Sequence, residues 1–399
     1  MDNFHTDELN RLLAVMVQSY KDISDLLFVP GKPPQVEVHG ELETPKVEDW
    51  PTPPDDALRI EAIARIIIDG SPKLLQDLEQ LGSCDCSYTL PDQCRFRVNI
   101  YRQRKKYALV LRLLKPLVPS IEGLGLEPVF NEVVKEKNGI TFVTGASGNG
   151  KSTTLAALLN EVNRDNKMHI VTLEDPIEFL FPDLKATFSQ RELGNDFFTF
   201  SEGLRSAMRQ APKVIMVGEI RDRETMEIAL TASETGHMIY STLHTISASQ
   251  SINRILGMFG KDEENQIRDR LAASLRYTIG QRLIPKKTGG RMLVTEVMGH
   301  SLRTREAIAL GENESRRLSE IIEVGRHAGW HSFEQSLQKA YEQDLITEET
   351  AMLYSTNKPT MRQMIDNSNS SGRANKKNQA SPMFFIPPRA PAETPRSPL

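Results

Sequence analysis

The run Gly145-Ala-Ser-Gly-Asn-Gly-Lys-Ser152 limits what this chain can fold into more than any other segment. It matches G-x-x-x-x-G-K-[ST], a loop that joins a strand to a helix around a phosphate. The preceding Gly139–Thr144 reads as a buried strand, and Thr153–Asn160 reads as a helix. Glycines let backbone N–H groups turn inward on phosphate oxygens, and the helix N-terminus adds a field that favours anions. Gly145, Ala146, Ser147, Gly148, Asn149, Gly150, Lys151, Ser152 and Thr153 are therefore candidate nucleotide-binding residues. The expected ligands are ATP and Mg²⁺. Lys151 is placed to reach the β- and γ-phosphates and Ser152 to sit on the metal.

Bulk properties narrow the setting. The chain has 399 residues, enough for two cores. A net charge of −4 and a pI near 6.1 argue against coating nucleic acid through bulk charge. No apolar run approaches a membrane span of ~20 residues, and the acidic start Met-Asp-Asn-Phe-His has no signal-peptide pattern. A cytoplasmic location is expected. Cys84, Cys86 and Cys94 lack the paired spacing of zinc sites and are odd in number, so reduced thiols are expected.

The expected fold class is α/β. Residues 1–118 read as a mixed α+β unit, with helices at Leu9–Tyr20 and Ala57–Asp69 and short strands at Leu26–Val29 and Gln35–Val38. Residues 119–130, with two prolines and two glycines, read as a linker. From 131 to 300, strands at Ile140–Thr144, His169–Leu173, Val214–Val217 and Met238–Thr242 alternate with helices. That pattern implies a mostly parallel sheet covered on both faces, with ligands at the carboxyl ends of its strands. Residues 301–366 read as a helical region. The tail 367–399 holds six prolines from Pro382 to Pro398 and is expected to be disordered. Within it, Met383-Phe-Phe-Ile386 reads either as a docking motif or as part of a plain solvated tail.

Arg95–Lys115 carries eight basic residues and no acid. Phe96, Val98 and Ile100 alternate with Arg95, Arg97 and Asn99, giving one apolar and one basic face. That face is a solvated surface, a single-strand nucleic-acid binder, or a set of arginines aimed at phosphates bound elsewhere. Three further segments bring acids and histidines to strand ends. His169–Leu173 runs into Glu174 and Asp175, Val214–Val217 into Gly218 and Glu219, and Met238–Leu243 is flanked by His237 and His244.

In order along the chain, RFRVN (95–99), GASGNGKSTT (145–154), TLEDPIEF (172–179), QREL (190–193), LRSAMRQ (204–210), VGEIRD (217–222), ETGHMIYSTLHT (234–245) and GQRL (280–283) resemble the secretion-type hexameric ATPases. The match is closest to the type IV pilus retraction motors of the PilT/PilU kind and runs from about residue 20 to 366. The chain departs from that pattern at Leu27, where the family has histidine. It departs again at Gln210–Lys213, where the family is acidic, and at Arg305–Glu312, which replaces A-I-R-N-L-I-R-E.

The resemblance implies a PAS-like N-terminal domain, a RecA-like ATPase core and a C-terminal helical region, assembled as a homo-hexamer. It implies Glu174 as the group that polarises the attacking water and Glu219 in the Walker B role on Mg²⁺, shared with Ser152. His244, with His237 as a second candidate, would sense the γ-phosphate. Arg97 and Arg112, with Arg95 beside them, would reach ATP from the N-terminal domain. It further implies an inner-membrane pilus platform protein and a paralogous ATPase as partners, with no role for nucleic acid. The expected activity is ATP-driven pilus retraction. The alternatives are assembly or export in a type II or type IV secretion system, and a low-turnover ATP-gated partner subunit.

Overall fold

Two sheets divide the chain. The computed structural model describes residues 4–370 except Asp49, Pro54, Asp92 and 115–117. The Pro-rich stretch from 371 onward, including Met383–Ile386, lies outside the described residues.

The first sheet comprises β1 (Ile23–Phe28), β2 (Gln35–Val38), β3 (Glu41–Glu43), β4 (Ser83–Leu90), β5 (Cys94–Gln103) and β6 (Lys106–Leu114). It is antiparallel throughout, in the order β3-β2-β1-β6-β5-β4. The alternation in β5 does what period-2 patterning requires. Phe96, Val98 and Ile100 are fully buried against Leu9, Leu13, Ile60, Ile63 and Leu74 from the helices Thr6–Ser19, Asp55–Ile68 and Pro72–Gln80. The opposite face carries Ser87, Arg95, Arg97, Arg112 and Asp25, and it is polar because Ser87 and Arg95 meet polar groups of the second unit while Arg97 and Arg112 are exposed.

The second sheet contains β7 (Gly139–Thr144), β8 (His169–Glu174), β9 (Thr187–Glu192), β10 (Val214–Val217), β11 (Met238–Leu243), β12 (Leu275–Pro285) and β13 (Arg291–Gly299). The order is β13-β12-β7-β11-β10-β8-β9, parallel except for the β12–β13 hairpin. Every residue of β7 and β11 is buried, so helices must cover both faces, as the unbroken apolar runs predict. The segment 119–130 is packed rather than free, because Ile121, Val129 and Phe130 enter this core. A third cluster forms where the helices Phe333–Glu342 and Lys358–Ser370 pack on the outer end of the β12–β13 hairpin through Ile284, Val294, Phe333, Leu337 and Met361.

Arg282 ties these helices to the sheet. It lies 3.8 Å over the Phe333 ring and donates to the Tyr354 carbonyl. It also donates to Thr356 Oγ1 at 2.7 Å and to the Ile246 carbonyl at 3.4 Å. Gly280 leaves room for the stack, since a Cβ there would come within 3.0 Å of the Phe333 ring.

Phe142 sits fully buried on the central strand β7. Phe142→Ala is expected to destabilise the seven-stranded unit by about 3–5 kcal/mol, the cost of a large aromatic cavity. A denaturant melt followed by near-UV circular dichroism checks this.

Candidate active site

The carboxyl ends of β7, β8, β10 and β11 open into a cavity of about 330 Å³. Its polar lining includes Ser147, Gly148, Lys151, Ser152, Glu174, Glu219, His244 and Arg97. Residues from four strand ends and from the N-terminal sheet thus converge on one space.

The phosphate loop is shaped by backbone geometry. Gly150 caps the helix Lys151–Asp165 with φ of 81°, in the left-handed region that disfavours side chains. A Cβ at Gly145 would lie 2.7 Å from the Gln281 carbonyl. Asn149 pins the loop to β12 by donating to that carbonyl and accepting from the Leu283 N–H, both at 3.3 Å. The Lys151 ammonium donates to the carbonyls of Gly145 and Ala146 at 2.9 and 3.1 Å. Burial lowers its pKa, while Glu219 and Glu178 oppose that shift. Of the nine loop candidates, Ser147, Gly148, Lys151 and Ser152 face the cavity. Gly145, Ala146 and Asn149 shape the loop behind them.

Glu174 ends β8 and is 7% exposed. Burial pushes its carboxyl up to about 7, although hydrogen bonds from Thr172, Gln190 and the Glu178 backbone favour the charged form. Across the cavity, Glu219 Oε2 accepts from Arg221 Nε at 2.6 Å and lies 3.3 Å from His244 Nε2. Acid, ammonium, hydroxyl and imidazole therefore line one space.

Three of the residues singled out from the sequence do not line this cavity. Arg112 does not line the cavity. It stands opposite Arg97 in the β5–β6 register, where like charges repel, and its Nε turns to Asp25 Oδ1 at 2.9 Å. Arg97 alone of the pair reaches the cavity, tethered only loosely to Asp85 at 3.9 Å. His237 is the second case. It precedes β11 and its Nδ1 contacts the Ala232 carbonyl at 3.0 Å, whereas His244 follows the far end of the strand. The six residues of β11 lie between the two, seven steps of about 3.3 Å or about 23 Å in all, so only one can meet a phosphate in this cavity.

Arg95 is the third case, because it is spent on the interior. Its Nη2 donates to Glu192 Oε2 at 2.6 Å and its Nε donates to the Ile177 carbonyl at 3.2 Å. The same carboxylate accepts from Ser87 Oγ, from the Ile177 N–H at 3.1 Å and from Asn195 Nδ2 at 2.9 Å. Glu192 thereby joins the first sheet to the acid-rich loop 175–179.

Sequence reasoning gave no role to Gln190, Glu192 or Thr172. The available signals were the segments TLEDPIEF and QREL that contain them and the alternation in Thr187–Glu192, which puts Gln190 and Glu192 on one face of β9.

An α/β fold with this loop at the carboxyl edge of a parallel sheet defines a P-loop nucleotide-binding protein. The pattern of the type II/IV secretion system protein family matches residues 85–376, and the chain belongs to that family. It is 36% identical to the type IV pilus retraction ATPase PilT of Pseudomonas aeruginosa over 344 residues, 86% of this chain and 97% of that one. It is 33% identical to the type IV pilus ATPase PilU of the same organism, covering 90% of this chain and 91% of the other. A crystal structure of the pilus retraction motor PilT with bound ADP superposes with a TM-score of 0.77 at 35% identity, covering 89% of this chain and 99% of that chain.

Glu192→Ala removes the partner of a largely buried guanidinium and is expected to cost about 3–5 kcal/mol. Hydrogen exchange at the Ile177 amide should accelerate with it, and an unchanged exchange rate would mean that the loop is held elsewhere.

Proposed function

We propose that this chain is the ATP-hydrolysing subunit of a type IV pilus retraction motor. The observation that carries the reading is the convergence of Lys151, Ser152, Glu174, Glu219, His244 and Arg97 on one cavity, in a chain similar to retraction ATPases along most of its length. The working form is a homo-hexamer, acting at the cytoplasmic side of the inner membrane through a membrane platform protein and beside a paralogous ATPase. No helix among the described residues is long and apolar enough to cross a membrane. Force on a membrane-bound fibre must then pass through such a partner.

The chemistry follows from the donor set. The loop N–H groups and the Lys151 ammonium bind the β- and γ-phosphates. Ser152 and Glu219 supply hard oxygens on either side of the cavity. Two such groups suit Mg²⁺ shared with substrate phosphates rather than an all-protein cage. When bound, Mg²⁺ would neutralise charge on the phosphates. Glu174 takes the proton of the attacking water as general base. His244 sits 3.3 Å from Glu219 and reports the occupancy of the γ-phosphate position to the segment that follows it. Arg97 brings positive charge from the other sheet to the transferring group, so turnover depends on how the two sheets are set.

Two measurements test this. Glu174→Gln should lower ATP turnover by about 10²–10⁴-fold, the usual contribution of a general base, with ADP binding retained. A base whose carboxyl is raised to about 7 works only when deprotonated, so wild-type kcat should fall as pH drops through about 7. In cells lacking the protein, electron microscopy should find excess surface pili, and surface motility should be lost. Few or no pili would reject retraction and move the protein to the assembly branch.

A further inference from the structure

We propose that Gln190 and Thr172 are positioning residues that hold Glu174 with one carboxylate oxygen fixed and the other turned to the cavity. The inference rests on Glu174 acting as the base. Thr172 and Gln190 are register partners on the parallel pair β8–β9, and Glu174 lies two residues past Thr172 on the same face. Thr172 Oγ1 donates to Glu174 Oε1 at 2.7 Å, and Gln190 Nε2 donates to the same oxygen at 3.1 Å. Oε1 is thus doubly bonded by donors from two strands, and neither donor touches Oε2.

The Gln190 amide cannot turn away from this duty. Its second Nε2 hydrogen bond goes to the Phe179 carbonyl at 2.8 Å, and its Oε1 accepts from the Phe181 N–H at 3.1 Å. Reversing the amide would set donor against donor at Phe181 and acceptor against both Glu174 and Phe179. Glutamine is therefore used as an oriented fork, with its donor edge toward the carboxylate.

The electrostatic consequence has a defined sign. Donors to a carboxylate favour its charged form and oppose the burial that raises it. The charged and titratable groups around Glu174 are Asp175 and Glu178 on its own loop, Glu192 beside it on β9, and Lys151, Glu219, Arg221, His244 and Arg97 across the cavity. Of these, Glu178 pushes Glu174 upward. Removing one side-chain donor leaves that push and the burial opposed only by the other and by the Glu178 backbone.

The test is the pH profile of steady-state ATP hydrolysis by the full-length protein. In Gln190→Met, the acid limb of kcat should move up by about one to two pH units, the worth of a hydrogen bond to a charged group. KM for ATP should hold within about twofold, and kcat should recover toward wild type at alkaline pH. A residue that merely holds the loop together would lower kcat at every pH.

Thr172→Val removes the second donor with almost no change of shape and leaves the Phe179 and Phe181 contacts alone. It should shift the limb in the same direction even if Gln190→Met folds poorly. An acid limb at the wild-type position in Thr172→Val, or in a folded Gln190→Met, while Glu174→Gln is inactive, would overturn the positioning role. Turnover preserved in Glu174→Gln would overturn it too, by removing the base on which it depends.

Discussion

A carboxylate taken out of water has to be met by donors, and Glu192 is 2% exposed. Its partners come from four places: Arg95 on β5, Ser87 on β4, the Ile177 amide in the acid-rich loop and Asn195 in the turn after β9. Satisfying one buried group therefore fixes the first sheet, the loop and the edge of the second sheet together. Arg97 is two residues beyond Arg95 on the same face of β5, so the placement of its charge in the cavity depends on that junction. The Ser71 hydroxyl adds a second tie by donating to the Gly194 carbonyl at 2.8 Å.

β9 makes an instructive pair of neighbours. Gln190 and Glu192 share a face, one reaching the base of the proposed reaction and the other reaching the opposite sheet. Glu192 also stands beside Glu174 in register, two acids in adjacent positions. They coexist because each is handled differently. Glu192 is neutralised by a guanidinium, and Glu174 is raised toward neutrality while accepting neutral donors. The chemistry of the cavity and the seam between the sheets are thus set within a few ångströms of each other.

Much of the fold was readable where periodicity and burial agree. The strands β7, β8, β10 and β11 are short apolar runs because they are covered on both faces, and the helices Leu318–Val324 and Glu348–Tyr354 match their apolar spacing. β4 and β9 were missed because their sequences, Ser83–Leu90 and Thr187–Glu192, are largely polar. Both are edge strands whose polar side chains meet other protein groups instead of an apolar layer. The same cause hid half of the site. A phosphate loop announces itself through glycine, while the choice among Arg95, Arg97 and Arg112 depends on which acid each one finds. Their positions in this structure follow from tertiary contacts of Arg95 with Glu192 and of Arg112 with Asp25, more than 80 residues away in sequence.

Arg282 links the C-terminal helices to the strand end that carries His244. Its guanidinium is shared between the Ile246 carbonyl, two residues beyond His244, and the Tyr354–Thr356 turn at the end of the helix Glu348–Tyr354. A guanidinium is rigid and flat, so one side of this joint cannot shift by an ångström without loosening the other. The Phe333 ring beneath it removes sideways play. One side chain thus holds the strand-end segment after His244 and the third cluster in a single joint, so the C-terminal helices are anchored two residues from a residue of the cavity.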